Sequence, residues 1–359
     1  MQRRGIGLIG LGLVVAAAVG WGEHGSASLP GGAGSTPTSE AGSPPATDGE
    51  TLQLGYSAPF LFNEYSIVLQ DKVVEAAEAA GFEVLAPTNA DSDSAQQNTD
   101  IRNLISAGAD ALIVFANDSN AIVPALDYAA EQEVPVVAID VAPDGGAVEM
   151  IVRVDNIGMG TEACELMAEA IGFEGKVLSL QGAATSINGR ERTQGFAECM
   201  AQYPDIELIE RPTDWDPEKQ VAALQTVLTA NPDLRGVFQQ AEYALEATNA
   251  VLEQAGYTAR AGEPEHIFNV SIDATPAALE LVREGVLDAA ISQPIDLYGS
   301  LGVQYLVDAM NGQEFATGPT DHGSEIVEFS GNLMDLVPSV AVTAENVDSP
   351  DLWANQVTG

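Results

Sequence analysis

Basic residues are scarce in this 359-residue sequence. It contains 13 lysines and arginines against 53 aspartates and glutamates, which gives a formal net charge of −40. Nucleic-acid binding needs a basic surface, so this composition excludes it. A charge this large repels itself unless salt screens it, and at molar salt the screening length falls to about 3 Å. We therefore interpret the chain as a halophilic acidic protein that works in high salt.

Histidine is almost as rare. None of the three histidines stands at a metal-ligand spacing or beside a candidate nucleophile. The sequence also has no glycine-rich loop of the kind that cradles phosphate. Paired acids such as Asp214 and Asp216 fit a solvated loop better than the two carboxylates of a glycosidase. We therefore predict that the protein is not an enzyme, with no catalytic residues, no metal and no cofactor.

Long hydrophobic runs are also missing, except near the start of the chain. Two arginines precede the apolar run Ile6–Val19, and small residues follow it. This order is typical of a secretory signal peptide, and the run is short for a membrane-spanning helix. Cleavage near Gly20 and cleavage near Ser28 both fit. We assign residues 1–28 to the signal peptide and 29–50, rich in Gly, Ser, Thr and Pro, to a flexible linker, which predicts an extracytoplasmic protein.

From Thr51 onward, strand and helix patterns alternate. The candidate strands are short continuous apolar runs, as in parallel sheets whose two faces are both covered. Glycines such as Gly81, Gly108 and Gly256 follow the helical runs, as C-terminal caps do. Two doubly wound, parallel-sheet α/β lobes are the simplest fold that fits this alternation.

The two cysteines, Cys164 and Cys199, fall on the first two helices predicted for the second lobe. Export from the cell would allow a disulfide between them. The alternative is a pair of small buried thiols packed as hydrophobic residues, and this is the interpretation that we favour.

Polar and aromatic residues recur where the predicted strands give way to loops, which is where open α/β sheets place ligand-binding groups. Lys176–Leu180, for example, leads through a small-residue loop to Arg190 at the predicted start of a helix. A guanidinium there would offer a fork of hydrogen-bond donors. Taken singly, such residues are more often helix caps or turn formers. Together they suit a polyhydroxylated ligand, because rings stack on its C–H faces while polar groups satisfy its hydroxyls.

Four stretches carry a resemblance to a known family. They are VPVVAID (Val134–Asp140), LQG…GRERTQGF (Leu180–Phe196), SIDATP (Ser271–Pro276) and AAISQP (Ala289–Pro294). From about Leu52 to Val347 the chain resembles periplasmic sugar-binding proteins of the ribose/galactose-binding type, the solute-binding component of an ABC sugar importer. The resemblance implies a type I periplasmic-binding-protein fold and a monomer that captures a sugar or polyol in its interlobe cleft by hinge closure. The closed form would then be recognised by a membrane permease.

The resemblance also implies that each lobe is discontinuous in the sequence. The expected crossings between the lobes lie near Val154–Asp155, Gln293–Pro294 and His322–Gly323. The N-terminal lobe would comprise residues 51–154 plus 294–322, and the C-terminal lobe 155–293 plus 323–359. The final segment Glu325–Val347 would therefore return to the second lobe.

Position by position, the resemblance implies a set of ligand-binding residues. They are Asn63, Tyr65, Asp140, Arg190, Trp215, Glu242, Asp273 and Gln293. The two aspartates would grip hydroxyls, and Trp215 would stack on the sugar ring. For Glu242 two roles stay open, as acceptor for a ligand hydroxyl or as part of the acidic surface.

The chain departs from the ribose binders at three places. Val141 stands where they have an arginine, Ala241-Glu242 replaces an asparagine-aspartate pair, and Pro59–Phe62 lengthens the first binding loop. The lost donors argue against ribose itself and favour a different or less polar sugar or polyol. A signalling receptor for an autoinducer-like or other small polar ligand is the alternative function.

Overall fold

The computed structural model describes Ser43, Pro45 and residues 51–357. The predicted signal peptide, 1–28, lies outside the described residues, as does the predicted linker, 29–50, apart from Ser43 and Pro45. Within the described part of the chain, no helix is both long enough and apolar enough to cross a membrane.

Strands and helices alternate in two series. The first series is β1 (Gln53–Ala58), α1 (Glu64–Ala80), β2 (Glu83–Val84), β3 (Thr88–Asn89), α2 (Ser94–Ser106), β4 (Ala111–Val114), α3 (Val123–Glu131), β5 (Val136–Ile139) and β6 (Met150–Val154). The second is α4 (Asn156–Ala170), β7 (Gly175–Gln181), α5 (Ile187–Met200), β8 (Ile206–Pro212), α6 (Pro217–Ala230), β9 (Leu234–Gln239), α7 (Leu245–Gln254), β10 (Phe268–Asp273), α8 (Pro276–Arg283) and β11 (Ala289–Ser292). The chain ends with α9 (Ile295–Met310), β12 (Gly318–Pro319), β13 (Glu325–Phe329), β14 (Asn332–Val337), β15 (Val340–Val342) and α10 (Trp353–Gln356).

Two sheets organise these elements into two lobes. The first sheet has the order β12-β13-β14-β6-β5-β4-β1-β2, with β3 also paired to β1, and the second has the order β15-β11-β10-β9-β7-β8. The pairs are parallel except for those of β12 with β13, β13 with β14 and β11 with β15. The predicted pair of doubly wound α/β lobes is confirmed.

The central strands are buried on both faces. The runs ALIV of β4, VVAI of β5 and AAIS of β11 have every residue buried. Each aliphatic side chain removed from water in this way stabilises the fold by about 1.5–3 kcal/mol. Helices cover both faces of such strands, so their sequences show continuous apolar runs without alternation.

The predicted third crossing, near His322–Gly323, is wrong. Strand β14 pairs in parallel with β6, and β13 pairs with β14, so both belong to the first sheet. The chain reaches the second sheet only at β15, which pairs with β11. The crossing therefore lies at residues 338–339, and 325–337 was assigned to the wrong lobe. Isolated strand patterns carry no information about which distant strand they pair with, which explains the error.

A disulfide joins Cys164 on α4 to Cys199 on α5. The interpretation of these residues as two separate buried thiols is therefore wrong. The two helices pack against each other, because Gly160 and Gly195 let the backbones approach closely. This contact brings the Cα atoms of the two cysteines to 6.1 Å, within the range for a disulfide.

Candidate functional site

The strand ends of both sheets face one cavity. The space between them that no protein atom fills is about 360 Å³, counting its open mouth. Its walls come from loops that follow strands of both lobes and from the first turns of α1 and α5. The lining residues are Phe60, Tyr65, Phe115, Ala116, Asn117, Asp140, Val141, Ser186, Asn188, Arg192, Trp215, Tyr243, Asp273 and Gln293.

The structure brings five of the eight predicted site residues to this cavity. They are Tyr65, Asp140, Trp215, Asp273 and Gln293. Asp140, Asp273 and Gln293 directly follow or end a strand, as expected for groups at the carboxyl ends of parallel strands. Trp215 lies in the loop after β8, and Tyr65 is the second residue of α1. Asn63, Arg190 and Glu242 lie outside the cavity, each for a local reason.

Arg190 faces the rim of the cleft rather than the cavity. Helix α5 begins at Ile187, three residues before the predicted start, so Arg190 lies in its first full turn. Its guanidinium bonds to Asp144 at 2.7 Å and to the carbonyls of Ala184 and Thr185. Because residues two apart on a helix are turned by about 200° from each other, Arg192 points the other way, into the cavity.

Arg192 is the buried cation of the site. Its side chain is 3% exposed, its Nε donates to Asn156 Oδ1 at 2.7 Å and its Nη1 donates to the Gln240 carbonyl at 2.6 Å. These bonds fix the guanidinium plane, and no described residue accepts a bond from Nη2. The central guanidinium carbon of Arg192, Cζ, lies 5.8 Å from the centre of the Trp215 ring. The sequence analysis selected Arg190, the other arginine of the RER motif, instead of Arg192.

Asp140 presents a carboxylate from the first lobe. It is 3% exposed, and Asn188 of α5 donates to its Oδ1 at 2.8 Å from the second lobe. Burial raises the pKa of Asp140, while the charge of Arg192 and the bond from Asn188 oppose that rise. Arg153 in turn holds Asn188, through a bond of 2.8 Å to the amide oxygen.

Asp273 is the matching group of the second lobe and is also 3% exposed. Gln293 donates to its Oδ1 at 2.8 Å. Burial raises the pKa of Asp273 to about 8; the charge of Arg192 lowers it and the charge of Glu242 raises it. Burial thus favours the protonated form of this group, which can donate as well as accept a hydrogen bond.

The backbone is strained where it delivers these groups. Asp140 has φ 60°, Trp215 has φ 59° and Asp273 has φ 130°, all in a region that residues other than glycine seldom occupy. Such conformations cost about 1–3 kcal/mol each and persist only where their surroundings hold them. Two helix caps supply part of that support, since Asp216 caps α6 directly after Trp215 and Thr275 caps α8 two residues after Asp273.

Aromatic rings form one wall of the cavity. The ring of Tyr243 lies 5.7 Å from Phe60, 5.5 Å from Phe62 and 5.8 Å from Trp215, and Phe60 lies 5.9 Å from Phe115. The inserted loop Pro59–Phe62 thus contributes the ring of Phe60 to this wall, and Phe62 packs against Tyr243 from outside the cavity. Tyr243 and Phe115 were not predicted as site residues, although Phe115 ends a predicted strand and Tyr243 lies in the loop after another.

Gly182 allows Trp215 to reach the cavity. A Cβ atom at Gly182 would lie 1.9 Å from the six-membered ring of Trp215, well inside any allowed contact. The small-residue loop after β7 is therefore needed for the position of this ring.

Two hydroxyls of the cavity wall have no partner. Tyr65 Oη and Ser186 Oγ are buried without a hydrogen bond to any described residue. Buried polar atoms are nearly always paired, and leaving one unpaired costs about 1–3 kcal/mol. Both atoms belong to residues that line the cavity, so a ligand hydroxyl there would satisfy them.

Asn63 caps a helix instead of contacting the cavity. Its Oδ1 accepts from the backbone N–H and the hydroxyl of Ser66 at the start of α1. These hydrogen bonds fix the start of α1, the helix that carries Tyr65 as its second residue.

Glu242 lies behind the cavity wall. Its carboxylate accepts four hydrogen bonds from Ser271, Ala274 and Thr275, so neither oxygen is directed at the cavity. At 9% exposure Glu242 is not part of the acidic surface, which was one of the two roles left open for it. For the other role, as acceptor for a ligand hydroxyl, its two oxygens already accept four hydrogen bonds from the protein.

The rim of the cleft carries contacts between the lobes that do not involve the cavity. Ser119 of the first lobe donates its N–H to the Thr185 carbonyl at 3.2 Å, and its hydroxyl accepts from Ile187 N at 3.0 Å. The ion pair of Arg190 with Asp144 spans the same edge. The lobes therefore meet in a closed arrangement.

Comparison with known proteins agrees with this geometry. Residues 54–314 match the sequence profile of the family described as periplasmic binding protein domain. The chain is 29% identical to a ribose import binding protein of Bacillus subtilis over 262 residues, which cover 73% of this chain and 82% of that protein. It is 26% identical to a xylitol-binding protein of Mycolicibacterium smegmatis over 64% of this chain and 65% of that protein.

A solved structure gives the same result for the fold. An ABC transporter periplasmic solute-binding protein from Actinobacillus succinogenes, with bound D-allose, superimposes with a TM-score of 0.72 and 26% identity. The match covers 83% of this chain and 99% of that one.

Proposed function

The chain belongs to the periplasmic binding protein family, and from that premise we propose that it is an extracytoplasmic receptor that captures a sugar or polyol between its lobes and delivers it to an ABC importer. One observation carries the proposal. Asp140, Arg192 and Asp273 are buried together in one cavity beside a wall of aromatic rings. The relatives named above, which bind ribose, xylitol and D-allose by their descriptions, support it.

The cavity offers both kinds of contact that a polyhydroxylated ligand needs. Arg192 Nη2 donates to hydroxyl oxygens, whereas Asp140 accepts from hydroxyl groups and Asp273 does either. Tyr65 and Ser186 each supply a hydroxyl that can donate or accept. The rings of Trp215, Tyr243 and the neighbouring phenylalanines pack on the C–H faces of the ligand. A ligand that lacks a matching hydroxyl leaves a buried polar group unpaired, and this selects among sugars.

Ligand binding and lobe closure are coupled in this arrangement. Tyr65 and Asp140 belong to the first lobe, whereas Arg192, Trp215 and Asp273 belong to the second. A ligand that contacts both sets binds the closed form better than the open form, and so shifts the population towards closure. The closed form is then the species that a membrane permease recognises.

The remaining parts of the proposal concern location, assembly and activity. The family places the protein outside the cytoplasm; we propose export by the signal peptide at residues 1–28, which N-terminal sequencing of the secreted protein would test. We also propose a monomer that works in high salt and has no catalytic activity. Release of product from a panel of glycosides would contradict the last point. By their descriptions, the ribose import binding protein and the D-allose-bound solute-binding protein belong to importers, which supports import over the signalling alternative.

A thermal-shift experiment tests the function directly. The purified full chain is heated in molar salt with pentoses, hexoses, polyols, nucleosides and amino acids. A ligand at 100 times its dissociation constant stabilises the folded state by about 2.7 kcal/mol, which raises the melting temperature by several degrees. A shift with a sugar or polyol that Asp140→Ala abolishes supports the proposal, whereas a shift with nucleosides or amino acids alone contradicts it.

A further inference from the structure

Glu242 is a buried carboxylate that the proposed ligand contacts do not use. Its Oε1 accepts from Ser271 Oγ at 2.6 Å and from Ala274 N at 3.0 Å. Its Oε2 accepts from Thr275 N at 2.8 Å and from Thr275 Oγ1 at 2.6 Å. All four donors belong to the end of β10 and the turn that follows it, so one side chain holds the whole segment.

That segment is where the backbone is strained. Asp273 has φ 130° and Ala274 has φ 53°, two successive residues with positive φ. Both conformations are unfavourable for residues other than glycine and persist only where the surrounding structure holds them. The bonds from Ala274 N and Thr275 N to Glu242 can form only while the turn keeps this shape. The backbone N–H of Glu242 also approaches Asp273 Oδ2, at 3.4 Å.

We propose that Glu242 is a positioning residue that holds the turn at residues 273–275 and thereby keeps the Asp273 carboxyl in the ligand cavity. The inference rests on the proposed function, because it assigns Asp273 a contact with the ligand. Glu242 itself does not touch the ligand. Its effect on binding passes through Asp273, and this distinguishes it from a residue that only stabilises the lobe.

The charges around Asp273 support the same coupling. Burial is the main reason why the pKa of Asp273 rises to about 8. The positive charge of Arg192 on α5 lowers this pKa, and the negative charges of Glu242 and Asp140 raise it. Tyr65 and Tyr243 also face the group, but burial raises the pKa of both phenols well above 10, so they stay neutral. Burial raises the pKa of Glu242 as well, and its hydrogen bonds from Ser271, Thr275 and Ala274 oppose that rise. The ionised carboxylate is the form that accepts all four bonds, and replacing it removes a negative charge that favours the protonated form of Asp273.

A double-mutant cycle separates positioning from general stability. Glu242→Gln keeps the shape of the side chain but replaces one acceptor oxygen by a donor that faces other donors. We expect it to weaken binding of D-ribose, D-allose or xylitol, whichever binds tightest by calorimetry, by about tenfold, the cost of one good hydrogen bond. In an Asp273→Asn background the same change should have no further effect, because the contact it supports is already altered. An equal loss in both backgrounds would contradict the proposal.

Two further variants control for misfolding and for a general effect of charge on the affinity. Ser271→Ala removes one of the four donors and leaves Glu242 in place, so a smaller loss of affinity is expected that also disappears with Asp273→Asn. Glu246→Gln changes an exposed acid one turn further along the chain, and it should leave the affinity unchanged.

If D-ribose, D-allose and xylitol all fail to bind, a pH titration without ligand tests the proposed role of Glu242. The carboxyl carbons of the aspartates are followed by NMR as a function of pH, and Asp273→Asn identifies the signal of Asp273. We expect a midpoint near 8 in the unaltered protein and a lower one with Glu242→Gln. An unchanged midpoint overturns the coupling. If no sugar or polyol binds, the proposed function fails, but this titration still reports on Glu242.

Discussion

The two lobes present one aspartate each to the cavity, and the two are held in different ways. Both stand at the end of a parallel strand, both have positive φ and both are 3% exposed. The partner of Asp140 is Asn188, which reaches it across the cleft from the other lobe. The partners of Asp273 are Gln293, directly after β11 in the same sheet, and the Glu242 backbone. Closure therefore completes the surroundings of Asp140, whereas those of Asp273 are built largely within one lobe.

This difference shows how two similar strand ends acquire separate tasks. A group whose partner lies on the opposite lobe senses whether the cleft is closed, because opening removes that partner. Under the proposed function, a group fixed within one lobe would offer the ligand the same contact before and after closure, which lowers the cost of ordering on binding. The second lobe would then be a preformed half-site, and closure would complete the first.

The largest expected effect removes the charge that both aspartates share. Arg192 lowers the pKa of each, so Arg192→Ala removes the cation that both buried acids share and deletes the proposed donor to the ligand. Leaving a buried charge without its partner costs about 3–5 kcal/mol, so we expect calorimetry to show at least a hundredfold loss of affinity. Arg102→Ala, an exposed arginine of the first lobe, is the control. Near-normal binding by Arg192→Ala would show that the charge of Arg192 is not needed for ligand affinity.

The next effect sharpens the contrast between the aspartates through pH. The folded-state pKa of Asp273 is about 8, whereas its unfolded value is about 3.9. Between these pH values the folded state binds more protons, so the free energy of unfolding falls as the pH rises. Asp273→Asn removes that slope, so its advantage in melting temperature should grow from pH 4 to pH 8 and then level off.

Asp140→Asn serves as the paired measurement. The pKa of Asp140 is also raised, but Arg192, Asn188 and Arg153 all oppose the rise, so the pH-dependent gain should be smaller. Both variants should lose affinity for the ligand. Identical pH profiles for the two variants would show that the aspartates have equivalent surroundings.

A smaller effect is expected at the rim, where closure is held without the ligand. Arg190 and Asp144 form an exposed ion pair between the lobes, and such pairs contribute about 0.2–1 kcal/mol. Arg190→Ala should therefore weaken binding by at most about fivefold, and by the same factor for every ligand, because closure is common to all. The loss should vanish in molar salt.

Lys176→Ala is the matched control for the rim. Lys176 pairs with Asp233 at 2.9 Å within the second lobe, so its removal should leave affinity unchanged. A loss of affinity with Arg190→Ala that differs between ligands would indicate that Arg190 contacts the ligand, as the sequence analysis predicted.

The smallest effect on binding is expected from the disulfide. Cys164 and Cys199 lie 35 residues apart, and neither cysteine lines the cavity, although α5 also carries Asn188 and Arg192. Replacing both by alanine should leave calorimetric affinity unchanged while lowering the free energy of unfolding by about 4 kcal/mol, on the loop-entropy estimate for that separation. A change in affinity without a change in urea midpoint would show that α4 and α5 adjust the cavity directly.

Much of the site was predictable because strand ends are local features. Tyr65, Asp140, Trp215, Asp273 and Gln293 each follow a recognisable apolar run or begin a helix, and parallel strands bring such positions to one edge. Arg190 was misplaced for a finer reason. A shift of helix start by three residues, together with the helical turn of about 100° per residue, decides which arginine of the RER motif enters the cavity.

The sequence alone determined two parallel α/β lobes, because continuous apolar runs and regularly spaced helices are encoded over ten or fifteen neighbouring residues. The tertiary structure decided which sheet receives β13 and β14, that Cys164 bonds to Cys199, and that the Glu242 carboxylate binds the turn after β10. Each of these outcomes depends on which distant segments come into contact. Strand pairing, disulfide formation and buried hydrogen bonds are set by that long-range geometry, and no local pattern records it.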